Sequence, residues 1–241
     1  MSTMADSSTN NTCVQVTGII GAMDSEVAAI KGALDDVIVT QVSGLDFYEG
    51  SLDGNKIVVV QSGMGKVNAA VCAQTLILRF GATRVINTGV AGNLSSELTI
   101  NDFVVSTETV QHDFDVSPIG FERGEIPYTG KITFSADPLL CEKAVEAVTK
   151  AAPSSKVLTG RICSGDQFIC TNEQREAITS QWGGLCCEME GGAIAQACYL
   201  NQVPFVIIRA ISDDSDEMDF EQFQDAASRE CAEAVMTMCR M

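Results

Sequence analysis

Short β-rich apolar runs alternate with longer helix-patterned runs along nearly the whole chain, and no Pro/Ser-rich linker interrupts them. This alternation constrains the fold more than any single motif. Wholly apolar strands must be covered on both faces, and the intervening helices supply the cover. Residues 16–22 read as a buried strand, followed by a helix from Ser25 that carries Val27, Ile30 and Leu34. Runs at 47–49 and 56–61, turned at Asp53-Gly54, read as a hairpin. A helix at 67–80 and strands at 84–88 and 103–107 follow. A loop-rich stretch, 113–131, separates this half from a helix at 138–151. The second half reads as strand 157–163, helix 173–180, strand 185–189 running into helix 192–200, strand 203–211, and closing helix 220–238. The expectation is one α/β domain over 13–241, a central mixed, twisted β-sheet surrounded by helices. A disordered polar tail, 1–12, precedes it.

Charge narrows the function classes. With 32 acidic against 15 basic residues, the net charge of -17 argues against a nucleic-acid surface, which needs clustered cations to displace counterions. The acidity serves solubility. No apolar run approaches the roughly 20 residues that span a bilayer, and the first twelve residues lack the basic and apolar regions of a signal peptide. Ten scattered cysteines with no C-x-x-C, and a single histidine, predict reduced thiols in a cytoplasmic protein rather than disulfides or a metal site. No cofactor is expected.

In α/β folds, ligands gather where strands end, and four expected strand ends carry unusual residues. The first leads into Met23-Asp24-Ser25-Glu26, where Glu26 is either an ordinary acid at a helix start or a site carboxylate. The second, Thr88-Gly89-Val90-Ala91-Gly92-Asn93, reads as a Gly-rich turn that lets a ligand approach the backbone. The third is Glu188-Met189-Glu190, where strand alternation puts both carboxylates on one side. A sugar with adjacent hydroxyls, an arginine or a backbone cap would each satisfy such a carboxylate. The fourth is sharpest: Arg209 and Ser212-Asp213 close an otherwise apolar strand, which makes Asp213 a candidate proton donor. Asp214 beside it reads as a solvated loop residue. Ser62-Gly63-Met64-Gly65-Lys66 does not satisfy the phosphate-loop pattern, and His112 reads as a hydrogen-bonded structural histidine.

Together these segments resemble the 5′-methylthioadenosine/S-adenosylhomocysteine nucleosidases of the nucleoside phosphorylase/hydrolase superfamily. GIIGAMDSEV, SGMGKVNAA, INTGVAGNL, SGDQFI, CEMEGGAIAQAC and VPFVIIRAISD stand in family order over residues 17–240. The resemblance implies hydrolysis of the bond between ribose C1′ and adenine N9. It makes Asp213 the acid that protonates adenine N7, oriented by Ser212, and Glu26 the residue that polarises the attacking water, with Arg209 holding the geometry. Glu190 would accept hydrogen bonds from the ribose hydroxyls beside the Met189 backbone. Phe168 would lie against adenine, whose edge the Ile169 main chain reads. Met23, Met64, Met189 and Phe220 would line the sugar and alkylthio pocket, with Val90 and Gly92 also against the substrate. The resemblance further implies a homodimer in which the 116–121 loop donates Ile119 and Phe121 to the neighbouring site. Two positions depart from the family pattern. Val90 stands where many relatives carry a Ser or Thr that holds the water, and the donated loop carries Pro118-Ile119. The alternatives are a phosphate-dependent nucleoside phosphorylase and a nucleosidase for another 5′-modified adenosine.

Overall fold

A computed structural model describes residues 14–213 and 217–241; the polar tail and Asp214 lie outside them. The elements run β1 (Val16–Gly21), α1 (Asp24–Gly32), β2 (Asp35–Val42), β3 (Leu45–Leu52), β4 (Asn55–Gln61), α2 (Lys66–Phe80), β5 (Arg84–Asn93) and β6 (Phe103–Gln111). The second half continues with β7 (Thr133–Ser135), α3 (Pro138–Ala151), β8 (Val157–Ser164), α4 (Asn172–Trp182), β9 (Cys186–Glu188), α5 (Gly191–Asn201), β10 (Phe205–Asp213) and α6 (Glu217–Cys239).

The sheet is mixed, as expected. Its centre is parallel: β1 lies between β4 and β5, and β5 also pairs with β10. The β3–β4 hairpin turns at Asp53 (φ 49) and Gly54 (φ 81), the two positive-φ positions that match the twist of a two-residue hairpin. Beyond this the sheet curls. β10 also pairs antiparallel with β6, β6 pairs with β8, β8 with β9, and β9 returns antiparallel to β5. Five strands thereby close on themselves, an arrangement that leaves no free edge among them. Helices α1, α3 and α6 bury one apolar face of the sheet, around Ile19, Val59, Ile86, Phe103 and Val206. Helices α2 and α5 pack together over the other, around Ile20, Leu76, Val85, Ile194 and Ile207.

The structure corrects the sequence reading in three places. Strand β5 runs on through Asn93, so 88–93 is not a turn. Its glycines answer to packing: a Cβ on Gly89 would overlap Glu26 Oε1 and Arg209 Nη1. Strand β6 likewise extends past residue 107 to Gln111. Strands β2 and β7 have no counterpart in the sequence reading; β2 is mostly exposed and pairs only with β3, and so shows little half-buried alternation.

Candidate active site

Strand ends β1, β5, β9 and β10 converge on one cavity. Glu26 enters it from the first turn of α1. The N-cap of that helix is Met23, not Ser25, and Glu26 reaches back over the turn. Its Oε2 accepts the N–H groups of Ala22 (2.6 Å) and Met23 (2.9 Å), and its Oε1 accepts that of Val90 (3.0 Å). Glu26 is therefore both an acid of the first helical turn, bonded back to the N-cap amide, and a carboxylate lining the cavity. Three of about four acceptor positions are filled, which leaves room for one more donor. Burial raises its pKa, against the opposing pull of Arg209 and the three N–H groups.

Arg209, in the middle of β10, is fully buried. Its guanidinium donates to Val90 O (3.2 Å), Asn87 Oδ1 and Glu188, and lies 3.5 Å from Glu190 Oε2. Asn87, on β5, is held in turn by donating to Ile20 O at 2.9 Å. An arginine inside the sheet is tolerable only when its charge is met in this way, and of its guanidinium nitrogens Nε alone makes no hydrogen bond among the described residues.

Hydrogen-bond accounting separates the two glutamates. Glu188 Oε2 takes Arg209 and the N–H groups of Glu190 (3.1 Å) and Gly191 (2.7 Å), while its Oε1 takes the Ser164 hydroxyl. Glu188 is thus fully engaged, as counter-ion to Arg209 and as acceptor for the amides that open α5. Glu190 accepts the Gly65 N–H at 2.9 Å and has only the long approach to Arg209 besides, so it keeps acceptor capacity for a ligand. Its pKa is raised to about 7, by burial first, with Arg209 lowering it and Glu188 raising it. The two carboxylates converge without strand alternation: β9 ends at Glu188, and Glu190 is the N-cap of α5.

Asp213 closes β10 opposite Gly92, past a register shift after Ile211. Such bulges re-aim side chains. Here the bulge aims Asp213 into the cavity, where Ser212 Oγ donates to its Oδ2 at 2.9 Å. A Cβ on Gly92 would stand 3.2 Å from Asp213 Oδ1, so the glycine makes room for the acid. Cys187 lines the same end and keeps its thiol protonated, since burial holds its pKa far above neutrality.

The opposite wall is apolar. Met23, Met64, Met189, Ile169, Phe168 and Phe220 line it, the two phenylalanine rings meeting edge to face at 5.3 Å. Met64 is 62 % exposed and Phe168 43 %. All the sequence-derived site residues therefore line this cavity except two. Ile119 is 72 % exposed, and Phe121 packs edge-on against Tyr128; neither reaches the cavity of its own chain.

Ser62–Lys66 is the turn into α2, and its backbone holds carboxylates: Gly65 N–H binds Glu190, and Lys66 N–H binds Asp166 at 2.8 Å. His112 is buried, but against the expected hydrogen bond its Nε2 makes none among the described residues and packs against Gly165. Asn87, Ser164, Asp166 and Gln167 receive no role in the sequence reading, although they lie inside the INTGVAGNL and SGDQFI segments; polarity within apolar strands is a further hint for the first two. Among the described residues no cluster of His, Cys, Asp and Glu fits a metal, and no helix is long and apolar enough to cross a membrane. The nine described cysteines are unpaired.

The fold thus presents a carboxylate floor around one arginine, with a buried acid at a neighbouring strand end, and residues 16–240 match the phosphorylase superfamily. The chain belongs to the 5′-methylthioadenosine/S-adenosylhomocysteine nucleosidase family within it. The nucleosidase of that name from Staphylococcus epidermidis is 40 % identical over 222 residues, covering 90 % of this chain and 96 % of the relative. The Neisseria meningitidis nucleosidase, in complex with methylthio-immucillin-A, superposes with a TM-score of 0.89 at 37 % identity, covering 93 % of this chain and 98 % of the other. Futalosine hydrolase of Helicobacter pylori superposes at 0.88 with 33 % identity, over 93 % and 97 % of the two chains.

Proposed function

We propose that this chain hydrolyses the N-glycosidic bond of 5′-methylthioadenosine and S-adenosylhomocysteine, releasing adenine and the 5′-thio-substituted ribose. The observation that carries the reading is the separation of carboxylates by environment: Glu26 and Glu190 on the Arg209 floor, Asp213 on the Ser212 end of the cavity. Cleavage builds positive charge on the ribose and negative charge on the departing base. The floor stabilises the first, with Glu190 accepting the ribose hydroxyls. Asp213 removes the second by protonating adenine N7. Glu26, with one acceptor position open and burial raising its pKa, polarises the water and takes its proton. Val90 contributes its N–H to Glu26 and no hydroxyl to the water, so Glu26 and Arg209 hold the water without it.

Phosphate is a poor nucleophile for this floor. Arg209 is already engaged by two glutamates, and a dianion would meet Glu26. The apolar wall of Met23, Met64 and Phe220 suits a thioether tail. The kinship with a futalosine hydrolase keeps a different 5′-modified adenosine as the second reading, with discrimination lying at that wall.

The functional unit in this reading is a homodimer. Exposed Ile119 and half-buried Phe121 are available to a second copy, whose cavity rim at Met64 needs cover, and Val67 and Val71 of α2 extend the exposed apolar surface from that rim. Unpaired, mostly buried thiols suit a reducing, cytoplasmic setting. Product analysis with 5′-methylthioadenosine, in phosphate-free buffer and again with phosphate, tests the reaction. Adenine and free methylthioribose in both are expected; product only with phosphate, as the sugar 1-phosphate, overturns the hydrolase.

A further inference from the structure

We infer that Asp113 and Lys66 form a latch that fixes the ribose-binding and base-binding walls of the cavity relative to each other, and that Asp113 is a positioning residue for substrate binding. The inference rests on the nucleoside-hydrolase reading above for its substrate, and on geometry alone for the latch.

Three segments meet there. Lys66 begins α2 directly after Met64 and Gly65, Asp113 follows the end of β6, and Asp166 stands two residues before Phe168 in the β8–α4 loop. Lys66 Nζ donates to Asp113 Oδ1 at 2.6 Å, with side chains only 17 % and 18 % exposed. Asp113 Oδ2 accepts the Asp166 N–H at 2.9 Å, and Asp166 Oδ1 accepts the Lys66 N–H at 2.8 Å. The ring closes: ammonium to carboxylate, carboxylate to amide, carboxylate to amide. One residue before the ring, Gly65 N–H binds Glu190 at 2.9 Å. Just after it, Gln167, Phe168 and Ile169 line the cavity. Gly65 (φ 96) takes a conformation that favours glycine, and a Cβ there would stand 3.1 Å from Asp166 Oδ1.

Each Asp113 oxygen has a separate task. An asparagine has one acceptor, so its NH₂ must face either the Lys66 ammonium or the Asp166 N–H, donor against donor. Asp113→Asn therefore opens the ring although it is nearly isosteric. Lys66→Met keeps the stem and removes the charge. The groups assigned to the chemistry, Asp213, Arg209 and Glu26, are anchored on β10 and α1, outside the ring. Opening the latch therefore affects binding more than the bond-breaking step.

The test is a double-mutant cycle of Asp113→Asn and Lys66→Met, read by KM and kcat for 5′-methylthioadenosine and by hydrogen exchange of the 64–66 and 166–169 amides. Each single variant should raise KM about tenfold, the range of a lost charged hydrogen bond, with kcat within about threefold of wild type. The double variant should be no worse than either single one, because both break the same ring. Exchange should quicken in both segments in all three variants. Multiplying KM effects, or a fall in kcat with KM unchanged, would overturn the latch, as would unchanged exchange. The exchange arm needs no substrate. If wild type fails to turn over the nucleoside while exchange responds as expected, the reaction assignment fails and the latch stands.

Discussion

At the floor of the cavity three buried carboxylates surround one guanidinium, Glu188 fully engaged while Glu26 and Glu190 keep acceptor capacity toward the cavity. At the rim, Phe168 and Phe220 meet edge to face beside Met64, and Met64 and Phe168 stand open to solvent. The floor handles the part of the substrate that all 5′-modified adenosines share, where charge develops and geometry must be exact. The rim handles the part that differs among them. A floor built on charge and directed hydrogen bonds ties each residue to its partners; an apolar, half-exposed rim can change with its substrate.

The largest effect should follow from Arg209→Met. Removing the cation strands Glu188 and its neighbours, and stability should drop by about 3–5 kcal/mol, as when one member of a buried ion pair is lost. Denaturant unfolding measures this, and a loss below about 1 kcal/mol would mean that the floor is not held by charge. Glu190→Gln sharpens the contrast through pH. The folded-state pKa of Glu190 is raised from 4.5 to about 7, so the folded protein binds that proton more tightly than the unfolded chain does. Its ionisation lowers stability as pH rises from 4.5 to about 7, and the whole cost is present above that. At pH 8 the Gln variant should therefore melt higher than wild type, while near pH 4.5 the two should coincide. Its kcat/KM should be depressed, without the wild type's fall as pH drops below about 7. Equal melting temperatures at both pH values would contradict this. The smallest effect belongs to the rim: Phe168→Leu should raise KM about two- to tenfold, the worth of an aromatic contact, with kcat nearly unchanged. A large fall in kcat would erase the distinction between floor and rim.

The sequence makes the floor more legible than the frame that holds it. Asp53-Gly54 announces its hairpin, and Asp213, Arg209 and Glu26 stand out as polar residues at the ends or inside of apolar runs. Residues 88–93 mislead, because glycine marks turns and tight packing alike, and only the packed neighbours Glu26 and Asp213 tell them apart. Closure of the sheet through β9 is invisible locally: a strand of three residues pairs with two others far away in sequence. The pairing of Asp113 with Lys66 is not legible either, although Lys66 lies in the SGMGKVNAA segment, since it arises only when residues 47 and 53 positions apart come together. The saturation of Glu188 against the spare capacity of Glu190 likewise needs coordinates, because both read as the same carboxylate in an extended run.

The measurement that bears most directly on this division of labour is the Asp213→Asn variant, assayed for adenine release and, separately, for substrate binding. Asparagine preserves the shape beside Ser212 and removes the proton that neutralises the leaving base. The account predicts adenine release lowered by about 10²–10⁴-fold or more, with 5′-methylthioadenosine still bound at close to wild-type affinity. Adenine release at the wild-type rate would contradict it, and would move the acid to another residue.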